Sequence, residues 1–172
     1  GLICSSESLF EIKIKGMGGH SSMPQLGRDT ITIGAEVVQT LQTIISRKLA
    51  SGSGAVVSVT EFISDGQRNV LPGETILKGD VRTRLPDDRK KIELYLNQIA
   101  SGVASAHDID IDVFFETEFV ETINHPIPTE AVLKTAKRIG LKTNECEPMS
   151  FSEDFSHSVS YTHLTLPTKC SV

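Results

Sequence analysis

In this 172-residue sequence His20, Asn69, Glu153 and Asp154 stand where their side chains could do chemistry. His20 lies in Gly16-Met17-Gly18-Gly19-His20-Ser21-Ser22-Met23-Pro24. An imidazole there can polarise a carbonyl or hydrogen-bond an oxyanion. Glycine lets the chain turn with positive φ and come close to a ligand. The competing reading is a solvated histidine in a turn. Asn69 opens Asn69-Val70-Leu71-Pro72-Gly73, and its amide offers a donor and an acceptor to a carboxylate or amide ligand. Asparagine is equally at home in a plain turn. Glu153 and Asp154 sit in Ser152-Glu153-Asp154-Phe155, where adjacent carboxylates could stand near a metal or hold a general base. The alternative is an N-cap, with Ser152 capping an acidic first turn. Arg82 and Arg84 could grip a carboxylate bidentately, although Asp80, two residues from Arg82, is a ready structural partner.

No complete metal site is expected within the chain. There is no HExxH, no paired CxxC and no second histidine within a turn of His20; His107, His125, His157 and His163 have unrelated neighbours.

The elements that must position these residues read as β-α-β-β-α-β. Leu9 to Lys15 alternates, with Phe10, Ile12 and Ile14 on one face and Glu11, Lys13 and Lys15 on the other. Asp29 is the expected N-cap of a helix over Thr30 to Leu49, with Arg47 and Lys48 in its last turn. Ala55 to Ile63 is valine-rich and reads as a buried strand. Glu74 to Leu85 reads as a third strand, with Leu77, Val81 and Leu85 on one face. Pro86-Asp87-Asp88 opens a second helix with Ile92, Leu96, Ile99 and Val103 as its stripe. Ile109 to Phe119 is a fourth strand. This order predicts an α+β, ferredoxin-like sandwich over residues 7–120: a four-stranded antiparallel sheet with two helices on one face. Beyond it, Asn124-His125-Pro126-Ile127-Pro128 reads as an extended linker and Thr129 to Ile139 as a short helix closed by Gly140.

Composition narrows the function classes. The chain is 38% hydrophobic and 23% charged, with net charge −5. That suffices for a core. Without a basic stripe or a row of strand aromatics, no nucleic-acid partner is expected. No apolar run approaches a membrane span, and no signal peptide is visible at the start. Cys4, Cys146 and Cys170 are odd in number and far apart, which reads as free thiols and a cytoplasmic setting. The sequence begins with Gly1 rather than methionine, so it reads as processed or as a fragment.

Taken together, FEIKIKGMGGHSSMP, VTEFISDGQRNVLPGETILKGDVRTR and PMSFSEDFS resemble the M20 family of metallopeptidases and amidohydrolases. The resemblance is to its aminoacylase, hippurate hydrolase and indole-acetyl-amino-acid hydrolase branch, and runs from about Gly1 to Ser156. It implies a metal-dependent amidohydrolase acting on N-acyl amino acids or small peptides. Such an enzyme uses two divalent metal ions (zinc, manganese or cobalt) and forms a homodimer through a ferredoxin-like lid domain. The resemblance assigns His20 the stabilisation of the oxyanion in the partner subunit's active site. It assigns Asn69 a part in substrate binding, with Gly18 and Gly19 shaping the turn. Glu153 and Asp154 fall in a loop lining the catalytic domain. Residues 1–6 would end the connection from that domain, 7–120 form the lid, and 121–157 supply part of the C-terminal catalytic segment. Residues 158–172 do not resemble the family and read as a sequencing or vector artefact, so His163 and Cys170 are not taken as ligands. The metal ligands and the general base lie mostly upstream in the family, so this chain alone is expected to be inactive. The rival is a free-standing ferredoxin-like module that binds a small ligand or a partner without catalysis.

Overall fold

A computed structural model describes residues 1–144 and 146–160. Glu145 and residues 161–172, which include His163, Cys170 and most of the 158–172 segment, lie outside the described residues.

Four strands form one antiparallel sheet: β2 (Glu7–Lys15), β4 (Val56–Ser64), β6 (Glu74–Arg82) and β7 (Asp110–Phe119), in the order β4-β6-β2-β7. Two helices cross over between them: α1 (Thr30–Thr43) and α2 (Pro86–His107). The β2-α1-β4 crossover leaves a gap that β6 fills, and β6-α2-β7 leaves one that β2 fills. This is the interleaved plan of a ferredoxin-like sandwich.

The alternation in β2 places Phe10, Ile12 and Ile14 in the core, where Leu77, Val81, Ile33, Val37, Leu41, Ile92 and Leu96 meet them. Each such side chain contributes about 1.5–3 kcal/mol on burial. Asp29 caps α1 by accepting the Ile31 N–H at 3.0 Å. Pro86 starts α2, whose whole expected stripe is buried. Asp108 ends it in the left-handed region at φ 52°.

Four details differ from the sequence reading. The first helix stays α-helical only to Thr43 and closes in a π-helical turn, Ile44–Lys48. β4 is an edge strand rather than a buried one: Val56, Phe62 and Ile63 are exposed, because only one of its neighbours is a strand. β6 stops at Arg82, and Leu85 is the exposed residue before α2, because Pro86 needs an extended residue ahead of it. The supposed linker is already structured. β8 (Thr122–Ile123) pairs with β1 (Leu2–Cys4), and α3 begins at Pro126 and runs to Arg138. Proline is suited to a first helical turn. A last short helix, α4, spans Phe155–Ser160.

Candidate functional site

The turn after β2 is fastened to the loop before β6 by a two-rung ribbon. β3 (Gly19–His20) pairs with β5 (Val70–Leu71), placing Gly19 opposite Leu71 and His20 opposite Val70. Ser21 N–H donates to the Asn69 carbonyl at 3.0 Å, and Gly16 N–H to the Gly73 carbonyl at 2.9 Å. Met17 and Arg28 exchange backbone hydrogen bonds at 3.2 and 2.8 Å, closing the turn against the entry to α1. So His20 and Asn69, 49 positions apart in sequence, stand side by side at one end of the sheet.

The glycines act differently from expectation. Positive φ is found at Gly52, Gly54 and Gly140, and at none of Gly16, Gly18 or Gly19. Gly18 is needed for close approach: a Cβ there would lie 2.9 Å from the Leu71 carbonyl oxygen. Nothing lies within 4 Å of a Cβ on Gly19. The turn is held by tight backbone packing rather than by left-handed geometry.

The His20 side chain is exposed and anchored at one nitrogen. Nδ1 accepts the Ser22 backbone N–H at 3.2 Å and lies 2.8 Å from Ser22 Oγ. A backbone N–H can only donate, so the neutral ring carries its proton on Nε2. That leaves an Nε2–H donor facing outward. Asn69 is exposed beside it, and its amide makes no hydrogen bond among the described residues. Two open polar groups on a braced ribbon can hold an oxyanion and a carboxylate or amide.

Glu153 and Asp154 lie elsewhere. The segment from Pro148 to Ser152 is tied to the opposite end of β2. Ser5 N–H donates to the Met149 and Phe151 carbonyls at 3.0 and 3.1 Å, and Arg84 Nη2 to the Pro148 carbonyl at 3.4 Å. Ser152 Oγ donates to Glu7 Oε2 at 2.5 Å and accepts from Arg82 Nη1 at 3.1 Å. Arg82 also reaches Asp80 and Glu7, both at 2.8 Å. Ser152 is therefore part of an ion-pair joint rather than an N-cap, and Arg82 is committed to its neighbours rather than to a ligand. Burial, with Glu153 and Cys146 nearby, pushes the Cys4 thiol above its ordinary range. From Glu7 to Lys15 the nine-residue strand spans roughly 26 Å. The His20–Asn69 ribbon and the Glu153–Asp154 loop thus lie at opposite ends of β2.

Among the described residues, no three of His, Cys, Asp and Glu converge into a group that could hold a metal ion. Sequence reading passed over three residues: Ser22, Asp65 and Glu7. Ser22 carried a local signal, since a serine two residues after a histidine can turn its N–H back onto the ring. Asp65 acts across its own loop, on Gly73 and Glu74, and Glu7 through bonds to Arg82 and Ser152, far away in sequence; the sequence alone held no sign of either.

Residues 8–108 match the M20 peptidase dimerisation domain. The N-acetyldiaminopimelate deacetylase of Leuconostoc mesenteroides is 34% identical over 159 residues, covering 91% of this chain and 41% of that protein. The hippurate hydrolase of Campylobacter jejuni is 30% identical over 159 residues, covering 90% and 41%. Among solved structures, a Staphylococcus aureus protein assigned as an aminohydrolase superposes with TM-score 0.86 at 31% identity, covering 93% of this chain and 42% of that one. YXEP of Bacillus subtilis, described as a dinuclear metal binding peptidase from the M20 family, superposes with TM-score 0.76 at 24% identity, covering 93% and 39%. The chain spans about two fifths of the length of the curated relatives it matches. No helix among the described residues is long and apolar enough to cross a membrane.

Proposed function

Because this chain belongs to the M20 peptidase dimerisation-domain family, we propose that it supplies the lid of a longer, metal-dependent amidohydrolase that cleaves N-acyl amino acids or small peptides. The observation that carries this reading is the outward Nε2–H of His20, held beside Asn69 on the braced β3–β5 ribbon. Attack on an amide carbonyl places negative charge on its oxygen. A fixed neutral N–H donor aimed at that oxygen stabilises the charge more than the ground state, which is the condition for catalysis. Asn69 would then hold the substrate's carboxylate or amide through its side-chain N–H groups.

The reaction needs more than this chain. The family implies two divalent ions, and the described residues do not form a site for them, so no step is assigned to a metal here. Glu153 and Asp154 are open to solvent and far along the sheet from His20. α3 buries none of its residues, while Ile127, Val132 and Leu133 are exposed. An amphipathic helix of that kind fits a surface made to be covered by the rest of a catalytic domain. On this reading residues 121–157 belong to that domain, His20 serves the active site of a partner subunit, and the isolated chain is inactive. The free thiols of Cys4 and Cys146 fit a cytoplasmic setting.

Kinetics of the intact enzyme with His20→Ala test the proposal. Loss of one oxyanion donor is expected to lower kcat by about 10²–10³ with little change in KM. A variant with unchanged kcat would overturn the assignment.

A further inference from the structure

We infer that Asp65 is a positioning residue: it holds the Asn69 loop against the His20 turn, so that the two outward groups form one preorganised unit. The inference rests on the proposed role of His20 and Asn69 as substrate donors.

Asp65 stands just past the end of β4, at the start of the 65–73 loop, and is exposed. Its Oδ1 accepts two backbone N–H groups, from Gly73 and from Glu74, each at 3.0 Å. Its own N–H donates to the Glu74 carbonyl at 3.4 Å. One side chain therefore clamps the loop's first residue to its last. Between those points the backbone turns at Gln67–Val70, where each residue bonds the other at 3.0 and 3.1 Å. With both ends fixed, Val70–Leu71 presents its edge to Gly19–His20. Gly73 completes the link. Its N–H is held by Asp65 and its carbonyl accepts the Gly16 N–H at 2.9 Å. Asp65 is thus two hydrogen bonds from the turn that carries His20.

The chemistry suits a carboxylate. Two N–H groups converge on one oxygen, which has two lone pairs to give, and charge-assisted bonds of this kind are the stronger ones. Without the clamp, the loop would have to be ordered each time substrate binds, at a cost in binding and in alignment.

The test is amide hydrogen exchange and cross-strand NOEs on the 15N-labelled 172-residue chain, comparing Asp65→Ala and Asp65→Asn with the parent sequence. Asparagine keeps a side-chain oxygen that can accept both N–H groups. In D65A, exchange at Gly73, Glu74 and Ser21 is expected to rise by about tenfold or more, and the Gly19–Leu71 NOEs to weaken. The β2–β6 amides beyond Glu74, from Thr75 to Arg82 and their β2 partners in the core sheet, should not change. D65N is expected to stay within about threefold of the parent. Faster exchange at Gly73 and Glu74 alone, with Ser21 and the ribbon NOEs unchanged, would overturn the inference. So would no change at all, equal behaviour of D65N and D65A, or loss of protection across β2–β6. None of these readouts depends on hydrolysis. Asp65 can hold the ribbon even if His20 proves not to be catalytic, and the reverse result is equally visible.

Discussion

At the scale of single residues, the roles in the ribbon follow from what each atom can donate, accept or displace. Gly18 and Gly19 are adjacent and identical in type, yet their surroundings separate them. Gly18→Ala sets a methyl 2.9 Å from the Leu71 oxygen, which is backbone and cannot swing aside. A loss of about 1–3 kcal/mol in urea unfolding is expected. Gly19→Ala meets nothing within 4 Å and is expected to stay within about 0.5 kcal/mol. Equal effects at the two positions would contradict the packing described. Sequence could point to His20 and Asn69 as chemistry-bearing types, but not to their pairing. The His20 tautomer was likewise out of reach, because it depends on which way the Ser22 N–H points.

At the scale of elements, the sheet has two edges of opposite character. β7 exposes Asp110, Asp112, Glu116 and Glu118, four carboxylates around one apolar side chain, Phe114. Two such edges brought together would set like charges face to face, a known defence against pairing. β4 exposes Val56, Phe62 and Ile63 with Glu61 as its one carboxylate, and Phe62 lies over Gly34 of α1. A proposed two-fold dimer would therefore use the β4 edge. Phe62→Asp is expected to shift the chain from dimer to monomer in sedimentation velocity. A dimer that survives F62D and is lost on changing β7 would reverse the assignment. The β-α-β-β-α-β plan was legible because each element has a clean period. The exposure of β4 was not, since a run of valines reads the same at an edge as at the centre. α3 was cut short in sequence because Pro126 and Pro128 look like linker residues, although both fit a helix's first turn.

At the scale of the whole molecule, β2 connects two regions of different kinds. One end carries the open donors of His20 and Asn69. The other is a closed joint in which Glu7, Arg82 and Ser152 bind one another and Cys4 is buried beneath the 147–153 segment. The two cysteines among the described residues report on that joint. Cys4 is buried and its thiol is pushed up, whereas Cys146 is exposed. Alkylation near pH 8 followed by mass mapping should modify Cys146 and spare Cys4. Because the folded state holds the Cys4 proton more tightly, that contribution to stability is present below the unfolded thiol's value of about 9.0 and is lost as pH rises beyond it. Rapid labelling of Cys4 under native conditions would show the joint to be open.

His20, far along the sheet from Glu153 and Asp154, is proposed, from the family to which the chain belongs, to work in an active site built by a second subunit. Mixing two inactive forms of the intact enzyme tests this most directly. One carries His20→Ala with its general base intact, and the other keeps His20 but has its general base replaced. If His20 acts across the dimer, random exchange of subunits should restore about a quarter of the wild-type activity, from one working site in each mixed dimer. Activity that stays at the level of the two separate variants, with mixed dimers present, would show that His20 serves its own subunit and contradict the claim.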